Sequence, residues 1–118
     1  ILPLYQKVAK NAIGWSPNVG LVTGAPYPEN IRTIRKIIGD DRFLLIPGVG
    51  TQEGNLEACL DAAMTKEGGV IINVSRSALY KSSGEDFAEA CKGEIIKLNK
   101  QINDFRERKF NNVAEVIR

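Results

Sequence analysis

Three apolar runs, rich in Val, Ile and Leu, divide the first part of the chain: Val19–Thr23, Phe43–Ile46 and Val70–Val74. The runs are continuous and do not alternate between apolar and polar residues. Continuous branched runs are typical of strands that are covered on both faces, as in parallel sheets. Residues that favour turns, such as Gly, Pro and Ser, follow each run. The pattern therefore predicts three buried parallel strands.

Segments of helical period separate and follow these strands. Pro28 favours a helix start and Gly39 a helix end, and Asn55 is placed to cap a second helix. The longest helix is predicted from about Glu85 to Arg108, and the segment from Leu4 to about Ala12 is predicted to end a preceding helix. The longest helix carries an apolar stripe at steps of three and four residues: Phe87, Cys91, Ile95, Leu98, Ile102 and Phe105.

Alternation of strands and helices predicts an α/β fold with a parallel sheet, in either a doubly wound sheet or a barrel. The chain divides into the end of a preceding helix over 1–14 and βα units over 19–39, 43–67 and 70–109, the last with the long terminal helix. Three strands cannot close a barrel, because an eight-stranded one takes about 250 residues. The sheet edges of this chain are therefore expected to need another segment.

Composition and charge narrow the functional classes. With 43% hydrophobic and 25% charged residues, the chain is expected to fold around one core. Its 16 basic residues are mixed with 14 acidic ones, so no basic block indicates a nucleic-acid surface. No apolar run approaches the roughly eighteen residues of a membrane span, and no signal-like segment begins the chain. We therefore expect a cytoplasmic protein.

Few side chains are suited to nucleophilic or metal chemistry. Histidine is absent, which excludes Ser-His-Asp and Cys-His nucleophiles within the chain and removes the commonest zinc ligand. Cys59 and Cys91 lie far apart in predicted helices, and we interpret both as reduced core thiols. Trp15 is interpreted as a packing residue near the first strand. A solvated helix face is predicted for Lys100, Arg106, Arg108 and Lys109.

Two strand-to-helix loops carry candidate anion-binding groups. In the turn Ile46–Asn55, Gly48 and Gly50 would let backbone N–H groups approach an anion, although this short motif also suits an ordinary βα loop. After the third strand, Ser75 and Arg76 offer amides, a hydroxyl and a guanidinium that suits phosphate. Phosphate in (β/α)8 barrels is commonly held by the loops after strands seven and eight. The chain therefore reads as the C-terminal portion of such a barrel, incomplete on its own.

Three segments taken in order, Gly20–Ala25, Leu45–Gln52 and Val74–Ser77, resemble orotidine 5′-phosphate decarboxylase, in particular its longer microbial branch. The resemblance implies a (β/α)8-barrel lyase that converts orotidine 5′-monophosphate to UMP in de novo pyrimidine biosynthesis. It implies neither a metal nor an organic cofactor. It also implies a homodimer that binds a nucleotide, with no nucleic-acid or membrane partner.

The resemblance also implies roles for individual residues. Pro47 would lie beside the base, Gln52 would bridge phosphate and pyrimidine, and Arg76 would bind phosphate. The amide of Ser75 would help to complete the phosphate cup. The expected substrate-binding set is Pro47, Gly48, Gly50, Gln52, Ser75 and Arg76.

The chain departs from the family pattern at Glu53 and Asn55, where members often have Gly and Asp. Glu53 is expected to point outward or to pair with a base, because an anion beside phosphate is unfavourable. The alternating lysines and aspartates of the family's catalytic set have no match, and Lys66 and Lys81 lack the Asp-x-Lys surroundings. We therefore assign no catalytic residue and expect the isolated chain to be inactive, with an upstream segment of the same or another polypeptide supplying the set.

Two other interpretations stay open at this point. One is another phosphate-binding barrel enzyme, of the ribulose-phosphate or tryptophan-pathway type. The other is an inactive half-barrel that only binds phosphate or assembles with a partner.

Overall fold

A computed structural model describes residues 1–50 and 55–111 of the chain. Helices and strands follow in the order α1 Leu4–Ile13, β1 Leu21–Val22, α2 Pro28–Ile38, β2 Leu44–Pro47, α3 Leu56–Ala63, β3 Val70–Asn73, α4 Arg76–Leu79 and α5 Phe87–Arg106. A π-helical turn, Glu107–Asn111, follows α5. The chain divides into two compact units, unit 1 over Ile1–Asn73 and unit 2 over Val74–Arg118.

The three strands form one parallel sheet in the order β1-β2-β3. Leu21 of β1 lies opposite Leu44 of β2, and Leu44 lies opposite Val70 of β3. The predicted α/β fold with a parallel sheet is confirmed, and the sheet is open, with β1 and β3 at its edges. Three strands with helices between them form part of a barrel, as the sequence indicated.

One face of the sheet is buried and the other is not. Leu44 and Ile46 are 0% exposed, and they form the core of unit 1 with the other large, fully buried side chains, Ile31, Cys59 and Leu60. The register places Val22, Leu45 and Ile71 on the opposite face, where Val22 is 67% and Ile71 51% exposed. The expectation that all three strands are covered on both faces is therefore wrong for this chain, because Val22 and Ile71 are exposed on the second face.

Three helix-end signals of unit 1 act where the sequence indicated, although α3 itself ends at Ala63, before the predicted 43–67 unit does. Pro28 occupies the first turn of α2, where its missing N–H costs no helical hydrogen bond. Gly39 ends α2 with φ of 80°. The Asn55 side chain accepts a hydrogen bond of 2.9 Å from the Ala58 N–H and so caps α3. These three local predictions are confirmed.

Unit 2 is dominated by α5, which packs with α4. Lys81 Nζ lies 3.4 Å from a carboxylate oxygen of Glu94, and Lys100 pairs with Asp104 within α5. Of the predicted apolar stripe only Phe105 is buried, whereas Phe87 is 59% exposed. None of the helices in residues 1–50 and 55–111 is long and apolar enough to cross a membrane.

Some packing predictions fail. Trp15 is 74% exposed, so it is not a packing residue in this chain. Cys59 and Cys91 are both free, but only Cys59 is buried, and Cys91 is half-buried on α5. In the predicted solvated face, Lys100, Arg106 and Arg108 are exposed, whereas Lys109 is half-buried. The Lys109 ammonium lies 5.5 Å from the centre of the Phe110 ring, a contact that the charge pattern does not indicate.

Candidate functional site

The carboxyl ends of β2 and β3 lie side by side. The register that begins at Leu44 and Val70 continues to Pro47 and Asn73, the last residues of the two strands. Both end residues lie on the sheet face opposite the buried Leu44. In open or closed parallel α/β sheets, ligands bind at this carboxyl edge. The first residues of the loop after β2 therefore start beside the end of β3.

The loop after β2 begins with two glycines in the left-handed region. Gly48 has φ of 91° and Gly50 has φ of 89°, conformations that side chains with a Cβ rarely adopt. Val49 between them is 6% exposed, so its side chain anchors the turn in the core. The first residues of the predicted glycine-rich turn, Gly48–Gly50, therefore have a defined conformation, in which the small glycines leave the backbone open to a ligand.

The start of this loop is held by hydrogen bonds from the neighbouring turn. The Ala25 N–H donates to the Pro47 carbonyl over 3.0 Å, just as the Thr23 N–H donates to Leu45 over 2.9 Å within the sheet. The Ala25 carbonyl accepts a hydrogen bond of 3.1 Å from Cys59 Sγ on α3. The sequence did not indicate either contact of Ala25, because a small apolar residue gives no signal of main-chain bonding.

The middle of the loop contains the two residues with predicted roles, Gln52 and Glu53. Gln52 and Glu53 lie outside the described residues, so the bridging role of Gln52 and the orientation of Glu53 remain predictions. The loop is described again from Asn55, which caps α3.

Ser75 and Arg76 belong to unit 2 and open α4. The main-chain carbonyl of Ser75 accepts from the N–H groups of Ala78 and Leu79, at 3.1 and 2.9 Å, while its side chain makes no cap hydrogen bond. The Arg76 side chain is exposed, and within the described part of the chain it has no hydrogen bond or ion pair. Its guanidinium is therefore available to an anion.

The amino ends of the strands are held by two arginines that the sequence analysis did not single out. Arg35, only 8% exposed, donates from Nε to Ala63 and from Nη2 to Gly69, over 2.8 and 2.7 Å. Its Nη1 donates to the carbonyls of Gly39 and Arg42 over 3.0 and 2.7 Å. Burial lowers the pKa of Arg35, and the charge of nearby Asp40 opposes that shift.

Arg42 acts in the same way on the segment before β1. Its Nη1 donates to the carbonyls of Ser16 and Val19 over 2.7 and 2.9 Å, and its Nη2 donates to Ile13 over 3.0 Å. A sequence signal for Arg35 did exist, because it shares the apolar face of α2 with Ile31 and Ile38. These arginines lie at the end of the sheet where parallel α/β folds carry stability and not ligands.

Other cavities lie away from both predicted loops. An apolar groove of about 510 Å³ is lined by α1, β1 and α2, through residues that include Leu4, Val8, Val22 and Ile34.

Among the described residues, no group of three or more Cys, Asp or Glu side chains is arranged to hold a metal ion.

Comparisons with known proteins agree with the sequence resemblance. The chain is 47% identical over 108 residues to an orotidine 5′-phosphate decarboxylase of Ralstonia nicotianae, which covers 88% of this chain. It is 46% identical over 106 residues to one of Cellvibrio japonicus, covering 86% of the chain. The chain spans 40% and 38% of the length of these two curated relatives. No protein-family model matches it.

Solved structures show the same relationship in three dimensions. UMP synthase of Leishmania donovani matches 87% of this chain with a TM-score of 0.71 and 36% identity, and the match covers 22% of that protein. An orotidine-monophosphate decarboxylase structure from Toxoplasma gondii matches 90% of the chain with a TM-score of 0.72 and 30% identity, covering 42% of that protein. The fold is therefore that of the C-terminal βα units of a (β/α)8 barrel, and along most of its length the chain is similar to about two-fifths of orotidine 5′-phosphate decarboxylases.

Proposed function

We propose that this chain supplies the phosphate- and pyrimidine-binding loops of an enzyme that decarboxylates orotidine 5′-monophosphate to UMP. The geometry that supports this proposal best is the edge where β2 and β3 end together at Pro47 and Asn73. The left-handed Gly48 and Gly50 begin the loop at that edge. The 47% identity to a relative named as this decarboxylase favours this chemistry over other phosphate-binding barrels.

In this proposal the phosphate is held mainly by main-chain amides and one guanidinium. Gly48 and Gly50 have no Cβ to keep a phosphate away from the backbone, and N–H groups in such turns bind anions. Arg76 adds two parallel charge-assisted hydrogen bonds, and the amide and hydroxyl of Ser75 add neutral ones. Binding energy gained at the remote phosphate is available to organise charge around the reacting carbon.

The pyrimidine contacts rest on the family resemblance. Pro47 ends β2 on the sheet face opposite the buried Leu44 and Ile46, which is compatible with a place beside the base. Gln52 is assigned as the bridge between phosphate and pyrimidine. Substitution of Pro47 or of Gln52 tests each assignment. The affinity for UMP should change more than the affinity for inorganic phosphate.

The reacting groups are proposed to come from another segment. The chain spans 40% of the length of its Ralstonia relative, and its matched residues include no equivalent of the family's lysine and aspartate set. The exposed Val22 and Ile71 form an apolar surface on which further barrel strands would pack. We accordingly propose an upstream barrel segment as partner, a homodimer as the assembly and the cytoplasm as the location.

A complementation assay tests this function. The chain is assayed for loss of orotidine 5′-monophosphate alone and when joined to the upstream three-fifths of the Ralstonia relative. We expect turnover only in the joined protein. Arg76→Ala should then lower kcat/KM by about 10- to 150-fold, because a charge-assisted hydrogen bond contributes about 1.5 to 3 kcal/mol.

The matched control is Lys81→Ala, which removes an exposed cation of unit 2 that is already paired with Glu94. This variant should keep the parent kcat/KM within about twofold, as expected for a surface ion pair. Equal activity of the Arg76 variant and the parent would remove Arg76 from the site. A joined protein that binds ribulose 5-phosphate but not UMP would replace the decarboxylase with another phosphate-binding barrel enzyme.

A further inference from the structure

Ala25 holds both ends of the glycine-rich loop. Its N–H donates over 3.0 Å to the carbonyl of Pro47, the residue that precedes Gly48. Its carbonyl accepts a hydrogen bond of 3.1 Å from Cys59 Sγ on α3, the helix that follows the loop. Ala25 and Cys59 are both 0% exposed. One residue in the turn after β1 therefore contacts the strand that enters the loop and the helix that leaves it.

The Cys59 thiol is suited to remain a donor. Burial raises the pKa of Cys59, so the thiol stays protonated in neutral solution. Within the described residues, the Ala25 carbonyl has no other hydrogen-bond donor. A buried carbonyl that loses its donor is unfavourable, so removal of the thiol favours a shift of the turn or of the helix.

Cys59 also lies close to the start of α3. The helix begins at Leu56, and its cap, Asn55, follows the residues assigned to nucleotide binding. Because Cys59 is in the opening turn of this helix, its bond to Ala25 fixes that turn relative to Pro47. The distance between the two ends of the loop is thus set by two hydrogen bonds to one buried residue.

We propose that Cys59 is a positioning residue, acting through the main chain of Ala25 to hold Pro47, Gly48 and Gly50 in the conformation that binds phosphate. The inference rests on the proposed function, since that function assigns these residues to the nucleotide. Without the thiol, these residues spend less time in the binding conformation, and the apparent affinity falls by the fraction of time lost.

The test uses Cys59→Ala and Cys59→Ser in the protein that joins this chain to the upstream part of the Ralstonia relative. We measure UMP affinity by calorimetry and amide hydrogen exchange at Ala25, whose buried N–H is bonded to Pro47. Cys59→Ala should weaken UMP binding roughly threefold and speed exchange at Ala25 by a similar factor, because the binding conformation is less populated. Cys59→Ser retains an O–H donor and should lie closer to the parent protein than to the alanine variant in both measurements.

Leu60→Val is the matched control, because Leu60 is the next residue of α3, is 1% exposed and has no side-chain donor. It should lower the urea midpoint while leaving exchange at Ala25 and the UMP affinity as in the parent. Parent-like exchange and affinity in Cys59→Ala would overturn the inference. If the parent binds no UMP but exchange at Ala25 still responds to Cys59→Ala, the positioning role stands and the proposed function fails.

Discussion

At the amino ends of β2 and β3, Arg35 makes four hydrogen bonds and Arg42 three, all to main-chain carbonyls. At the carboxyl ends, the loop after β2 is held through Ala25 by one main-chain bond and one thiol bond. The amino end is fixed by guanidinium donors, of which Arg35 is buried and Arg42 half-buried. The carboxyl end combines left-handed glycines with one main-chain donor and one weak thiol donor. This difference is what stability at one end and the proposed ligand binding at the other predict.

The largest expected effect tests the amino end. Arg35→Ala should lower the free energy of unfolding by about 3 to 5 kcal/mol, because one buried and three partly buried carbonyls lose a donor, at about 1 kcal/mol each. Urea unfolding followed by circular dichroism measures the change. At urea concentrations where Arg35→Ala remains folded, its affinity for UMP should equal that of the parent protein.

Arg32→Ala provides the control on the same helix. Arg32 pairs with Asp61 at 2.9 Å, but their side chains are 39% and 52% exposed. Exposed ion pairs contribute about 0 to 1 kcal/mol, so this variant should be close to the parent in stability. Similar losses for Arg32→Ala and Arg35→Ala would mean that the buried carbonyl bonds do not set the stability of this end.

A smaller effect on stability tests the carboxyl end. Gly48→Ala should cost about 1 to 2 kcal/mol, because a Cβ at φ of 91° is strained. It should also weaken UMP binding, since the strained loop shifts away from its binding shape. The measurements are urea unfolding and calorimetry, which separate the two effects.

A glycine-to-alanine substitution should have the opposite effect on stability in α5. Gly93 lies within α5, and an added Cβ there meets nothing within 4 Å. Gly93→Ala should stabilise the protein by about 0.5 to 1 kcal/mol, since alanine favours helix interiors. If Gly48→Ala behaves like Gly93→Ala, the left-handed turn is not required and the contrast between the two ends is weaker.

The smallest expected effect is a pH dependence that arises from Cys59. Burial raises the pKa of its thiol in the folded protein, so the folded state holds this proton more tightly than the unfolded state. That contribution is fully present below the ordinary thiol pKa of about 8.5 and is lost as the pH rises through the raised pKa. The stability of the parent relative to Cys59→Ala should therefore fall as the pH rises above about 8.5.

Urea midpoints of both proteins at each pH measure this difference, in which the ionisation of all other groups cancels. A constant difference over this range would show that the thiol is not desolvated in the folded protein. It would also weaken the case that Cys59 remains a donor to Ala25.

The local signals of the sequence predicted the secondary structure well. Pro28, Gly39 and Asn55 act over a few residues, so their effects on helix ends do not depend on the rest of the chain. The parallel sheet followed from the continuous Val, Ile and Leu runs. Burial was harder to predict, because the exposure of Val22 depends on what covers the sheet and not on its own segment.

The candidate site shows the same division. The left-handed Gly48 and Gly50 fit the predicted turn, since glycine is the residue that adopts this conformation without strain. The structural role of Arg35 was not predicted, because its guanidinium donates to carbonyls that are distant in sequence, such as that of Gly69. The sequence does not show which carbonyls lie within its reach. The roles of Gln52 and Arg76 stay predictions that the proposed assays decide.

The use of carbonyl acceptors by Arg35 and Arg42 has a consequence for how this sequence can vary. A side-chain replacement at Ile13, Ser16 or Val19 leaves the carbonyl that accepts from Arg42 in place, so drift at those positions cannot delete the bond. The codon of Arg42 should therefore be far less permissive than those of Ile13, Ser16 and Val19, whose carbonyls it holds.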